Sequence, residues 1–257
     1  MGNRRLGHLA VRLLVPAALV SSLIPAGPAH AIANGDLVPD GMYRFSTKLT
    51  FTAIPRPDGT HSDSACSGAL VAPQWIITAG HCFHDINGTR VSGPPPYQST
   101  ATVGRTDLST SKGYVLNIKD VRQSSTGDVA LARLDAAVTD VVPIPVSTRA
   151  PRSNEVLRMT GWGATTSVNP TPVTHLRTGQ FTIRRVTTTN VGVVGRAPAS
   201  NTSACPYDSG APYFREDASR NAVLVSVERD GPDCPHAQVE ATSRVDNMAA
   251  WIASTVR

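Results

Sequence analysis

The chain has 257 residues, 40% hydrophobic and 17% charged, with 20 glycines, 20 prolines and a formal charge of +5. That composition supplies a sizeable core and excludes a disordered or collagen-like chain. The charge is too small to argue for nucleic acid, the more so because residues 1–31 hold three arginines and no acid, which leaves +2 for the remainder.

The N-terminus has a basic start with Arg4, Arg5 and Arg12, an apolar stretch over residues 13–24, and then Pro28-Ala29-His30-Ala31. This is the pattern of a secretory signal with an Ala-x-Ala cleavage site after Ala31. A membrane anchor is disfavoured, since Pro16, Ser21, Ser22 and Pro25 interrupt an apolar run shorter than the ~20 residues a spanning helix needs. The expected product is a secreted protein that begins at Ile32 and has no membrane association once the signal is removed.

Further along, residues 42–54 alternate and are rich in Thr, Phe and Tyr, and Pro55-Arg56-Pro57-Asp58-Gly59 reads as a turn. Residues 67–78 continue as strand, turn and strand. Residues 93–96 form a Gly-Pro loop, and short apolar runs follow at 114–118, 129–134, 156–159, 180–186 and 222–227. Only residues 245–256 read as helical. The pattern predicts an all-β chain, one domain over residues 32–257, without internal repeats.

Three segments carry chemistry, in the order Thr78-Ala79-Gly80-His81-Cys82, Gly127-Asp128-Val129-Ala130-Leu131 and Asp208-Ser209-Gly210-Ala211-Pro212. A serine hydroxyl is a weak nucleophile unless an imidazole takes its proton, and the imidazole needs a carboxylate to fix its tautomer. Ser209, His81 and Asp128 fit those roles. The four cysteines, Cys66, Cys82, Cys205 and Cys234, point to two disulfides in an exported chain, with three connectivities open. They lack the Cys-x-x-Cys spacing of zinc sites, and His84, His175 and His236 read as surface or loop residues without a partner at ligand spacing. No metal and no cofactor is implied.

The order His, Asp, Ser, with the histidine in Ala-Gly-His-Cys and the serine in Asp-Ser-Gly, resembles the trypsin/chymotrypsin family of secreted serine proteases. The resemblance runs from Ile32 to the C-terminus and includes residues 75–79, Gly161-Trp162-Gly163, which reads here as packing around a buried Trp, and Val245 with Trp251-Ile252. It implies two six-stranded antiparallel β-barrels, joined through residues 146–154, with the active site between them and a short C-terminal helix. It also implies disulfides Cys66–Cys82 and Cys205–Cys234, and an ion pair between the freed amino group of Ile32 and Asp208. The few disulfides and the direct junction of signal to Ile32 are similar to bacterial members of the family.

The same resemblance places Ser203 at the base of the substrate pocket and Glu240 where the family has a wall glycine. Glu240 could point inward and attract a basic side chain, point outward, or fill the pocket and admit only small side chains; the reading leans to basic specificity. Ser226 matches the serine that bonds the catalytic Asp, and Glu228 replaces a glycine at the pocket entrance. The nucleophile motif departs from the family at Tyr207, which stands where a glycine helps shape the oxyanion hole formed by the N–H groups of Tyr207 and Ser209. The implied function is a monomeric secreted serine endopeptidase acting on peptides or proteins, a target for inhibitor proteins, with Tyr207's ring turned to solvent or over the substrate. The competing readings are a non-catalytic binding protein on the same fold and an esterase with the same triad.

Overall fold

The computed structural model describes residues 1–2 and 32–257, so the expected leader lies outside the described residues. The first barrel is closed in the order β2 (Ser46–Pro55), β3 (His61–Ala72), β4 (Trp75–Thr78), β7 (Ala130–Leu134), β6 (Tyr114–Gln123), β5 (Gln98–Val103). The second runs β9 (Arg177–Val186), β10 (Asn190–Ala197), β13 (Glu240–Arg244), β12 (Ala222–Asp230), β11 (Pro212–Glu216), β8 (Val156–Gly161), and closes because β8 also pairs with β9. The short β1 (Asp36–Leu37) adds to β9, and all of these pairings are antiparallel. The helix α1 (Ala249–Thr255) follows a single 3₁₀ turn and ends the fold.

Each barrel encloses its own core. Leu49, Phe51, Leu70, Ile76, Ile77 and Leu131 fill the first, and Ile252 of α1 packs on that cluster. Phe181, Ile183, Val191, Val193 and Tyr213 fill the second, together with Ile32 from the start of the domain. Burying each such side chain stabilises the fold by roughly 1.5–3 kcal/mol. Residues 146–154 join the barrels as irregular chain laid along β12, with the Ser147 N–H donating to Leu224 O at 2.9 Å.

Strands β5, β10, β11 and β13 lie outside the apolar runs seen in the sequence. In β5 the inward positions are Ser99, Ala101 and Val103, small residues that give little hydropathy signal. In β13 they include Glu240, Thr242 and Ser243, buried polar groups that a hydrophobic pattern cannot find. Both expected disulfides, Cys66–Cys82 and Cys205–Cys234, are formed.

Candidate active site

Register sets the histidine against the aspartate. Thr78, the last residue of β4, pairs with Ala130, the first of β7, so the turn after β4 and the loop before β7 emerge side by side. That turn, Gly80–Cys82, carries His81. The His81 N–H donates to Asp128 Oδ1 at 2.9 Å, and its ring Nδ1 lies 2.7 Å from Asp128 Oδ2. Arg90 completes the arrangement, with NH1 donating to Gly127 O at 3.0 Å and lying 3.4 Å from Asp128 Oδ1. Burial pushes the Asp128 carboxyl up, but its bonds to His81 and the Arg90 charge outweigh that and hold it below the usual aspartate value.

The nucleophile segment belongs to the second barrel and is clamped by the first. Ser67 on β3 donates its N–H to Ser209 O at 2.9 Å. Its Oγ donates to Tyr207 O at 3.2 Å and accepts the Trp162 N–H at 3.1 Å. Gly210 has φ +81°, and a Cβ there would lie 2.5 Å from Ser67 O, so the close approach of the barrels requires glycine. Ser209 Oγ makes no hydrogen bond to His81 among the described residues; in unliganded sites this contact is often long and tightens only with substrate.

The Asp208, Gly210 and Ala211 N–H groups all donate internally, to Cys205 O, Glu228 O and Asp208 O. Those of Tyr207 and Ser209 have no such partner among the described residues, which is what an oxyanion hole needs. Tyr207 reaches this geometry with φ +76°, a conformation that costs a bulky residue on the order of 1–3 kcal/mol. Tyr207 lines, with His81, Cys82 and Pro206, a cavity of about 270 Å³ on the histidine side of the site. The Tyr207 ring is half-buried against Ala33, Ala164 and the Cys205–Cys234 disulfide, with its hydroxyl donating to Pro170 O at 3.4 Å.

Asp208 is fully buried. Its Oδ1 accepts the Gly163 N–H at 2.8 Å and its Oδ2 the Cys205 N–H at 3.0 Å. Gly161-Trp162-Gly163 therefore does more than flank a packed Trp: a Cβ at Gly163 would fall 2.6 Å from Asp208 Oδ1, and one at Gly161 3.0 Å from Asp208 Cγ. Burial pushes Asp208 up to about 7 despite these two donors. Lys48 is the cation whose charge acts on it; its Nζ is buried without a hydrogen-bond partner among the described residues, and burial lowers it to about 8. Ile32 is buried beside the same glycine, its Cγ1 being 3.5 Å from where a Gly161 Cβ would stand, and no bond joins its backbone nitrogen to Asp208 in the chain as described.

A second cavity of about 270 Å³ opens beside Ser209, walled by Ala204, Cys205, Glu228 and the chain through Asp233. Ser203 is buried next to Ala204 of that wall, where it bridges to Ala33 and its Oγ accepts the His236 N–H at 3.2 Å. Glu240 points inward and is buried, but both its oxygens are engaged. Tyr213 OH donates to Oε1 at 2.6 Å, the Ala204 N–H to Oε2 at 3.1 Å, and His236 Nε2 stands 3.4 Å from Oε2. His236 lies in the loop before β13, as expected, but is buried beside Glu240 rather than at the surface.

Two expectations are corrected by register. Ser226 makes no bond to Asp128: it pairs with Tyr213 and Arg244 inside the second barrel, and its Oγ accepts the Thr242 hydroxyl at 2.7 Å. Glu228 is not at the entrance. Pairing of Pro212 with Val227 puts Glu228 directly behind the nucleophile, where it donates its N–H to Ala211 O and accepts the Gly210 N–H, each at 2.8 Å. The glycine that lies over the pocket wall is Gly231, whose Cβ would stand 3.0 Å from that of Glu240. A bulge interrupts β12 between Glu228 and Asp230.

Residues 32–252 match the family model described as Trypsin. The chain is 26% identical over 213 residues, 76% of its length and 79% of the relative's, to the chymotrypsin-like protease VLCTLP of Macrovipera lebetinus. It is 24% identical to trypsin Blo t 3 of Blomia tropicalis over 213 residues, 73% of this chain and 75% of the other. It is also 28% identical to a tryptase of Mus musculus over 160 residues, 59% and 57% of the two chains. The chain belongs to the trypsin family and is a serine endopeptidase.

Proposed function

We propose that the protein is secreted, that removal of residues 1–31 frees Ile32, and that residues 32–257 then cleave peptide bonds with Ser209 as nucleophile. His81 takes the Ser209 proton and returns it to the leaving amine, while Asp128 holds the imidazole and steadies its charge. The oxyanion sits on the N–H groups of Tyr207 and Ser209, and water releases the acyl group. These roles follow the general scheme for Ser-His-Asp enzymes. The observation that carries the reading is the double contact of His81 with Asp128, through ring and backbone, in the barrel whose β3 also holds Ser209.

The freed amino group of Ile32 is proposed to pair with Asp208, whose buried carboxyl has two N–H donors and, among the described residues, no cation bonded to it. The acids around the cavity favour a basic side chain at the cleaved position. The two N–H groups left free at Tyr207 and Ser209 favour an enzyme over a binding-only relative, which has no use for them.

Hydrolysis of a fluorescent protein substrate tests the reading, with small esters alongside. Turnover of protein by the wild type, lost in Ser209→Ala and in His81→Ala, is the expected result. Turnover that survives Ser209→Ala refutes the nucleophile, and hydrolysis confined to esters refutes the peptidase role.

A further inference from the structure

The cavity beside Ser209 has a wall that no role so far uses. Glu228 is 3% exposed, and its Oε2 has no hydrogen-bond partner among the described residues. Its backbone is fixed by the bonds to Gly210 and Ala211, so the side chain cannot leave without disrupting the nucleophile loop. A buried carboxylate oxygen without a donor is costly unless it is protonated or a cation comes to it.

The Tyr213 hydroxyl, which donates to Glu240, also acts on Glu228 as a hydrogen-bond partner, and most of the other groups around Glu228 are acids. Glu240 faces it from β13, the Tyr213 hydroxyl from β11, Asp208 from the nucleophile loop and Asp230 from its own strand. His236 stands beside Glu240, and the nearby Arg229 turns to Asp230, with Nε 3.4 Å from Oδ2. Glu240 is already held by Tyr213 and Ala204, whereas Glu228 lines the cavity with one oxygen unbonded among the described residues; the other acids of the lining, Asp230 and Asp233, are exposed. Burial, then the charge of Glu240, pushes Glu228 well above the ordinary glutamate value, which favours its protonated form.

We propose that Glu228 is the residue that reads the side chain at the cleaved position, accepting a hydrogen bond from the ammonium of lysine or the guanidinium of arginine. The proposal rests on the endopeptidase reading and deepens it. Binding exchanges one proton for one cation, so charge in the pocket balances. Preference for a basic side chain over an uncharged one of the same shape then rises with pH, whereas a permanently ionised pocket would show no such change.

The test compares kcat/KM for peptides with lysine, norleucine or alanine at the cleaved position, from pH 5 to 9, in the wild type, Glu228→Gln and Glu240→Gln. The ratio of lysine to norleucine cancels the titration of His81, which both substrates share. The wild type is expected to favour lysine by at least about tenfold at pH 8 and by progressively less toward pH 5. Glu228→Gln brings the ratio near one at every pH, while Glu240→Gln retains discrimination and gains it at lower pH, since a neighbouring negative charge is gone.

Fluorophosphonate labelling of Ser209 shows whether each variant has an assembled site. Should Glu228→Gln fail to fold, competitive inhibition of the wild type by n-butylamine gives an independent reading, its Ki falling as pH rises from 5 to 8. A wild-type ratio near one, an equal loss on lysine and norleucine in Glu228→Gln, a preference for alanine, or a pH-independent butylamine Ki overturns the proposal. Absence of both turnover and labelling in the wild type overturns the endopeptidase reading, and this proposal with it.

Discussion

The backbone N–H of Ser67 donates to the carbonyl oxygen of Ser209 at 2.9 Å, from one barrel to the other. The preceding residue, Cys66, is disulfide-bonded to Cys82, the neighbour of His81. A single dipeptide of β3 therefore fixes the turn that carries the base and the segment that carries the nucleophile.

Ser67→Ala keeps that backbone bond but removes the Oγ that links Tyr207 O to the Trp162 N–H. Leaving the buried Trp162 N–H unpaired is expected to cost about 1–3 kcal/mol, seen as a lower Tm. Because Tyr207 shapes the oxyanion hole, kcat should fall by about tenfold with little change in KM, which steady-state kinetics on one peptide would resolve.

Tyr207 holds φ +76° against its own side chain. Tyr207→Gly accepts this conformation freely and is expected to label with a fluorophosphonate within about threefold of the wild-type rate. Tyr207→Val, β-branched and intolerant of positive φ, should lose on the order of 10² in labelling rate as one oxyanion donor moves away. Equal rates for the two variants would show that the backbone conformation at this position does not matter.

Much of this site is legible in sequence because its chemistry-bearing residues sit in short local motifs. His81 and Asp128 are each one residue group away from a strand end whose apolar run is visible, and Ser209 sits in a recognisable turn. The partners of Asp208 are not legible that way. Lys48 looks like an outward polar residue on an alternating strand, yet the second barrel packs over that face and buries it, Ser46 two residues earlier bonding Thr160 of β8. The environments of Ser226 and Glu228 are set by the pairing of β12 with β11, Tyr213 with Ser226 and Pro212 with Val227, a register that no local motif displays.

Asp208 supplies a pH test. Its carboxyl is raised from 3.8 to about 7, chiefly by burial, so between those values the folded protein holds a proton that the unfolded chain releases. The stability linked to that proton is complete below about pH 4 and is lost as pH rises through about 7. A form with one extra residue before Ile32 should therefore lose Tm from pH 4 to 7 more steeply than a form that begins at Ile32, whose ammonium can pair with the carboxylate. Glu228 is raised in both forms and contributes the same sign to each, so the difference between the forms isolates Asp208. In Asp208→Asn the two curves should coincide when followed by circular dichroism.

Asp128 accepts both the ring and the backbone N–H of His81. Asp128→Asn retains the shape but can present an N–H where the imidazole needs an acceptor, and is expected to lower kcat by about 10⁴. The Tm should change far less than in a variant that unfolds the turn, and a parallel thermal melt separates the two effects.

The central claim is that Ser209 is a nucleophile activated by His81. Fluorophosphonate labelling of the form beginning at Ile32, with the modified residue located by mass spectrometry, tests it most directly. The account predicts one label, on Ser209, absent in Ser209→Ala and reduced to background in His81→Ala. A label on another residue, or a folded protein that takes no label at all, would contradict it.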